Sequence, residues 1–221
     1  IYGAEAYWVK NRHESDRSNC HIVLLARTDK GRKAINKILS IANKDGYYAR
    51  PRIDLELIGL LPYDDVMITT ACIAFWNKYD DIGDIVRCLV QKFPHFYLEV
   101  QAHNTPEQKE LNRRIIQISE ELLVPIIAGC DSHVITESQM LDRDELLKSG
   151  NIHYEDEDGW YMDYPTYDVL FERFRQQGVL TDGQIKAAID NTNVLFEFED
   201  IKLDRSFRSI DVNDFAQAIK D

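Results

Sequence analysis

Apolar runs closed at both ends by turn-formers recur five times along the chain, at residues 1–9, His21–Ala26, 66–73, Phe96–Gln101 and 125–130. Short continuous runs of this kind predict strands buried in a parallel sheet. Between them the period lengthens to that of a helix. Thr28-Asp29 is placed to cap a helix whose apolar positions Ile35, Ile38, Leu39 and Ala42 share one face, with Gly46 placed to end it. Ile82, Ile85, Val86, Leu89 and Val90 form a second stripe. Thr105-Pro106-Glu107-Gln108 supplies an N-cap, a first-turn proline and a capping-box glutamine for a third helix, running through Leu111, Ile115, Ile118 and Leu122. Strand and helix alternate, which predicts an α/β architecture around a parallel sheet, open or closed into a barrel.

Beyond residue 136 the pattern changes. No further buried strand is predicted; residues 140–147 read as a helix, and the acidic stretch Tyr154-Glu155-Asp156-Glu157-Asp158-Gly159 as a solvated hairpin or loop. Pro165-Thr166 opens a helix through Val169, Leu170, Phe171 and Phe174 to Gly178, and Thr181-Asp182-Gly183-Gln184 opens another through Ile185, Ala188 and Ile189. The expected organisation is a barrel unit over 1–136 and a helical extension over 137–221 packed against it.

Charge narrows the functional classes. With 26 Lys+Arg against 38 Asp+Glu, the formal charge of −12 argues against a surface built to wrap duplex DNA through its phosphates. An acidic chain can still act on nucleic acid where bound cations supply the positive charge. No stretch reaches the ~18 apolar residues of a membrane span, so no membrane association is expected. The four cysteines, Cys20, Cys72, Cys88 and Cys130, form no CxxC, which together with the lack of a leader-like opening leads us to expect a reducing, cytoplasmic setting. Ile1 stands where Met would open a chain and begins a predicted strand, so a fragment of a longer polypeptide is expected.

The candidate chemistry is concentrated at strand ends. The run Pro125-Ile126-Ile127-Ala128-Gly129-Cys130 ends in Asp131-Ser132-His133, and residues two apart on a strand leave it on the same side. Carboxylate and imidazole are ligands for Zn²⁺, Mn²⁺ or Fe, and in parallel α/β folds sites assemble at the C-terminal strand ends. Glu5 interrupts the first apolar run, His21 opens the second, Cys72 lies at the end of the third and His103 follows the fourth. Read singly each has a plainer role: Asp131 as a turn cap, Glu5 as an outward strand residue, His21 as a strand cap, Cys72 as an inert buried thiol, His103 as a loop residue.

Read in order, Gly3-Ala4-Glu5-Ala6-Tyr7, His21-Ile22-Val23-Leu24-Leu25-Ala26, Tyr48-Ala49-Arg50-Pro51-Arg52-Ile53-Asp54, Thr70-Ala71-Cys72, Phe96-Tyr97-Leu98-Glu99-Val100 and Asp131-Ser132-His133 resemble the successive signatures of the PHP (polymerase and histidinol phosphatase) domain. The version resembled is the one at the N-terminus of bacterial replicative DNA polymerase III α subunits. Leu146-Leu147-Lys148-Ser149-Gly150 and Asn191-Thr192 resemble the segments that join PHP to the polymerase palm, so the likeness runs over nearly the whole chain.

The resemblance implies a parallel-stranded, partial, distorted (β/α)7 TIM-like barrel with a helical C-terminal extension. It further implies metal ligands at Glu5, His21, Cys72, Asp131 and His133, with Glu5, Asp131 and His133 the catalytic members, and Zn²⁺, Mn²⁺ or Mg²⁺ as cofactor. A bridging carboxylate can hold two cations at the ~3.5–4 Å separation that polarises a phosphate and generates hydroxide. The thiolate favours zinc. The chain departs from the family in having no His-x-His, and Val134 stands where the family has tyrosine after Asp-x-His.

Three functions follow. The first is the PHP portion of a DNA polymerase III α subunit, with an incomplete metal-dependent phosphoesterase or 3′–5′ exonuclease-type site acting on a DNA 3′ end or a nucleotide. The second is a scaffolding or protein-binding element with a decayed site; the third, a free-standing PHP phosphatase. The expected partners are the remainder of a polymerase or its N-terminal segment, with association through an open barrel edge.

Overall fold

The computed structural model describes residues 1–18, 20–152 and 159–203. Its strands are β1 (Tyr2–Trp8), β2 (His21–Ala26), β3 (Tyr47–Tyr48), β4 (Arg50–Ile53), β5 (Val66–Thr69), β6 (Phe96–Gln101) and β7 (Ile126–Gly129). They form one seven-stranded sheet in the order β3-β4-β1-β2-β5-β6-β7. All five predicted strands are present, His21–Ala26 and Phe96–Gln101 with the predicted bounds and the other three with trimmed ends. The predicted third strand stops at Thr69 because Ile73 already begins a helix. Strands β3 and β4 lie within residues 47–53, whose Arg50-Pro51-Arg52 sequence offers no apolar run to detect.

The parallel sheet expected from the alternation is corrected to a mixed one. β1 pairs parallel with β4, and β5, β6 and β7 are mutually parallel, but β2 runs antiparallel to both β1 and β5. The reason lies in the β1–β2 connection. A parallel neighbour needs a crossover, usually helical, and the segment after Trp8 has no helical element, so the chain reverses and returns alongside. The sheet is open among the described residues: β3 stands at one end, β7 at the other, and strands β3 and β4 extend it beyond the five expected core strands.

The helices are α1 (Asp29–Asp45), α2 (Leu55–Ile58), α3 (Ile73–Asn77), α4 (Ile82–Lys92), α5 (Pro106–Leu122), α6 (Gln139–Ser149), α7 (Tyr167–Gln177) and α8 (Asp182–Asp190), followed by a 3-10 turn at Asn191–Glu197. Their starts follow the sequence signals: the hydroxyls of Thr28, Thr105, Thr166 and Thr181 each accept a first-turn N–H. The full capping box expected at Thr105 forms instead at Thr181, because Gln108 turns inward and donates to Asn112 Oδ1 at 3.0 Å. Helix α6 has no buried residue. Except for Gly159, the acidic stretch 154–159 lies outside the described residues.

The alternation along β1 and β2 decides where chemistry can sit. Ala6, Trp8, Ile22, Leu24 and Ala26 are buried on the helix-covered face, where Trp8 meets Phe75 edge-on. Glu5, Tyr7, His21 and Val23 occupy the opposite face, which stays partly accessible. At the far end, Asn191 Nδ2 donates to the carbonyl of Ile126 at 2.7 Å, so the C-terminal helices satisfy part of the β7 edge.

Candidate metal centre

The antiparallel run of β2 brings its first residue to the rim where β1 and β5 end. His21 stands opposite Tyr7 and packs on its ring at 4.8 Å between centroids. Glu5, two residues back on the same face, is the diagonal neighbour of His21, and its Oε1 lies 2.9 Å from His21 Nδ1. After β5 the chain turns through Ala71, a non-glycine residue at φ 47°, and this places the Cys72 sulfur 3.4 Å from the backbone N–H of His21. His21 thus contacts both Glu5 and Cys72.

Their protonation is coupled. Contact with Cys72 and then Glu5 holds the imidazole proton and raises the His21 pKa to about 10. The hydrogen bond from His21, helped by the charge of His133, lowers the Glu5 pKa. Burial pushes the Cys72 thiol up, but hydrogen bonds and charge from His21 outweigh it and the net shift is downward. The imidazole thus gains its proton's hold from two neighbours that it shifts toward their anionic forms, the direction a divalent cation would reinforce once it displaced the proton.

Asp131 and His133 are held differently. Asp131 also sits at φ 47°, and His133 Nε2 is 3.5 Å from its Oδ1, both side chains being about half exposed. The main chain here is tied to the tail: His133 N–H donates to Met162 O at 2.8 Å, Val134 N–H to the same oxygen at 3.1 Å, and Ser132 Oγ to Asp163 O at 2.8 Å. His133 contributes to the field at Glu5, which links the pair to the trio electrostatically.

A carboxylate with no assigned role in the sequence reading completes this face. Glu99 accepts from Thr69 Oγ1 at 2.7 Å and Gln101 Nε2 at 3.1 Å. Burial raises its pKa, and the charges of Asp131 and Glu5 add to the rise. Gly129 makes room for it, since a Cβ there would fall 1.9 Å from Glu99 Oε1. An acid in the middle of an apolar strand, with a glycine in the facing strand, is the sequence signal that could have found it. His103 lies apart, buried at 2 % exposure and stacked on Trp160 at 4.6 Å.

The donor chemistry of carboxylate, imidazole and thiol suits zinc or manganese. The convergence does not: among the described residues no group of three or more His, Cys, Asp or Glu side chains is placed to hold one metal ion. Contacts close within the trio and within the pair.

Residues 1–121 match the family described as PHP domain. Among curated proteins, the chain is 31% identical over 201 residues to the DNA polymerase III subunit alpha of Aquifex aeolicus, covering 82% of this chain and 17% of that protein. It is 32% identical over 165 residues to the subunit of the same name from Borreliella burgdorferi, covering 68% and 14%, and 26% identical over 163 residues to that of Deinococcus radiodurans, covering 66% and 12%. The chain therefore spans less than a fifth of the length of these relatives. Among the described residues no helix is long and apolar enough to cross a membrane.

Proposed function

The chain belongs to the PHP domain family, and on that premise we propose that it serves as the PHP portion of a DNA polymerase III α subunit, carrying part of a metal-dependent phosphoesterase or 3′–5′ exonuclease-type site. The observation that carries this reading is the contact of Glu5, His21 and Cys72 at one rim, with Asp131 and His133 electrostatically linked to it. In the proposed role Glu5, His21 and Cys72 would contribute donors to a cation site that further ligands complete, and Asp131 and His133 would serve a second centre or the attacking water. A bound ion would supply a nucleophilic water of lowered pKa and charge for the leaving oxygen. Glu99, whose carboxyl burial shifts toward the protonated form, lies beside these donors. The rest of a polymerase is the expected partner and a DNA 3′ end or nucleotide the substrate.

A second reading, a scaffolding element with a decayed site, is favoured by one observation: no three donors among the described residues close on a point. Hydrolysis of a chromogenic phosphodiester and of a 3′-mismatched primer in Mn²⁺ or Zn²⁺ separates the two. Weak turnover by the 221-residue chain, rising when a PHP segment bearing His-x-His is supplied, supports the partial site. Absence of turnover with that segment present supports the scaffold. Robust turnover by the chain alone, abolished by Asp131→Asn, would show the site to be self-sufficient.

A further inference from the structure

Linked to the candidate centre through Arg50, which lies over Tyr7, is a cleft of about 220 Å³ whose walls carry Arg17, Arg50, Arg52 and Tyr48. Its charge stands out in a chain of formal charge −12. Arg52 is 2 % exposed, and its guanidinium donates to the carbonyls of Gly46, Glu14, Asp16 and Arg12. None of these acceptors is a carboxylate, so its charge remains to act on the cleft, although buried charges are ordinarily paired. Arg17 and Arg52 lie over the same Tyr48 ring at 5.6 and 5.4 Å, and Arg50 lies over Tyr7 at 4.5 Å. Among the described residues none of the three forms an ion pair. The carboxylate in the wall, Asp16, is already engaged by the Tyr79 hydroxyl at 2.6 Å, the Ser18 N–H at 2.8 Å and Lys78 at 3.9 Å. Between Tyr48 and Arg50 the chain passes through Ala49 at φ 60°, a left-handed conformation for a residue with a Cβ, of the kind that clusters at ligand sites.

We propose that this cleft binds the phosphodiester backbone of single-stranded nucleic acid and leads the strand toward the Glu5–His21–Cys72 rim. Like charges gathered on one ring repel, and a phosphate between them converts that repulsion into charge-assisted hydrogen bonding. Tyr47, 62 % exposed beside Tyr48, offers a π-face on which bases stack whatever their sequence. The direction is given by Tyr7, whose ring contacts both Arg50, at 4.5 Å, and His21, at 4.8 Å. Duplex DNA fits less well, since it requires a broad basic surface rather than a single cationic cleft. The choice of a phosphodiester strand over another anion rests on the phosphoesterase reading of the neighbouring centre; the cationic character of the cleft does not.

The test is fluorescence anisotropy of a fluorescein-labelled oligothymidylate with the full 221-residue chain in EDTA at a series of salt concentrations. With metal withheld, the result is independent of whether a cation is held or a bond is cut, so failure of the hydrolysis assay and failure of the cleft are separate outcomes. Binding is expected, and the Arg17→Glu, Arg50→Glu double variant should bind about tenfold more weakly, with the log–log salt slope smaller in magnitude by roughly 1.4, two contacts at ~0.7 each. Both side chains lie outside ion pairs, and circular dichroism confirms that the variant is folded. A Lys37→Glu, Lys148→Glu variant makes the same change in net charge elsewhere and should bind like the parent. Failure of the parent to bind at low salt, equal weakening by the control variant, or displacement by inorganic phosphate at the oligomer's own concentration would each overturn the proposal.

Discussion

Two parts of the rim carry candidate ligands, and they are built by different means. Glu5 and His21 are positioned by the register of β1 against β2, and Cys72 by the turn after β5, so that half of the centre follows from the central strands themselves. Asp131 and His133 leave an edge strand, stand half exposed, and take their main-chain anchor from Met162 and Asp163 in the tail. Where adjacent ladders order the ligands, contact is direct and protonation coupled. Where a distant segment does it, only the backbone is held. Disturbing the tail should therefore move one half and spare the other.

The largest effect is expected from the tail's own anchor. Arg173 forks onto Asp163 with bonds of 2.7 and 2.9 Å, both side chains largely buried. Asp163→Ala leaves a buried guanidinium unpaired and should cost about 3–5 kcal/mol in chemical denaturation. In the same variant the His133 resonances should shift while those of His21 stay in place. A matching shift at His21 would erase the distinction between the halves.

Acid should act on the tail side next. His103 accepts from Tyr161 N–H at 3.1 Å, and burial, then the charge of Arg173, lower its pKa to about 4. A histidine with a depressed folded pKa contributes stability that is complete above its unfolded value near 6.5 and is lost as pH falls from there toward 4. The loss reaches on the order of 3 kcal/mol. Denaturation midpoints measured across that range should drop in the parent and drop less in His103→Phe.

Gly129 tests the buried acid between the halves. Gly129→Ala would set a methyl on Glu99 Oε1, for a loss of roughly 1–3 kcal/mol, partly recovered in the double variant with Glu99→Ala. Additive losses in that cycle would mean the two side chains do not share the space.

Much of this could be read from the chain. Five of seven strands, the threonine caps and the apolar stripes follow local rules. Three features were not legible. The reversal of β2 depends on a connection without a helix, which periodicity treats as loop; His21 belongs to the rim for that reason, although it opens its strand instead of ending it. Strands β3 and β4 are paired through Arg50-Pro51-Arg52, where pairing rests on register and leaves no apolar trace. Glu99 carries the signal of an acid inside an apolar run, but the environment that sets its ionisation is made by Thr69, Gln101 and Gly129 from three strands and is not legible locally.

Smaller still is the effect within the trio. His21→Gln removes the cation that brings the Cys72 thiol down, so alkylation of Cys72 by iodoacetamide at neutral pH should slow, as judged by mass spectrometry of the labelled peptide. An unchanged or faster rate would show that His21 does not set the thiol's ionisation.

The central claim, that Glu5, His21 and Cys72 are the ordered half of a partial metal centre, is tested most directly by titrating the chain with Co²⁺ and following the thiolate-to-cobalt absorption band. The account predicts a weak, proton-releasing binding event whose band disappears in Cys72→Ser and weakens in Glu5→Gln. Saturable binding with no thiolate band, or a band that survives Cys72→Ser, would contradict it.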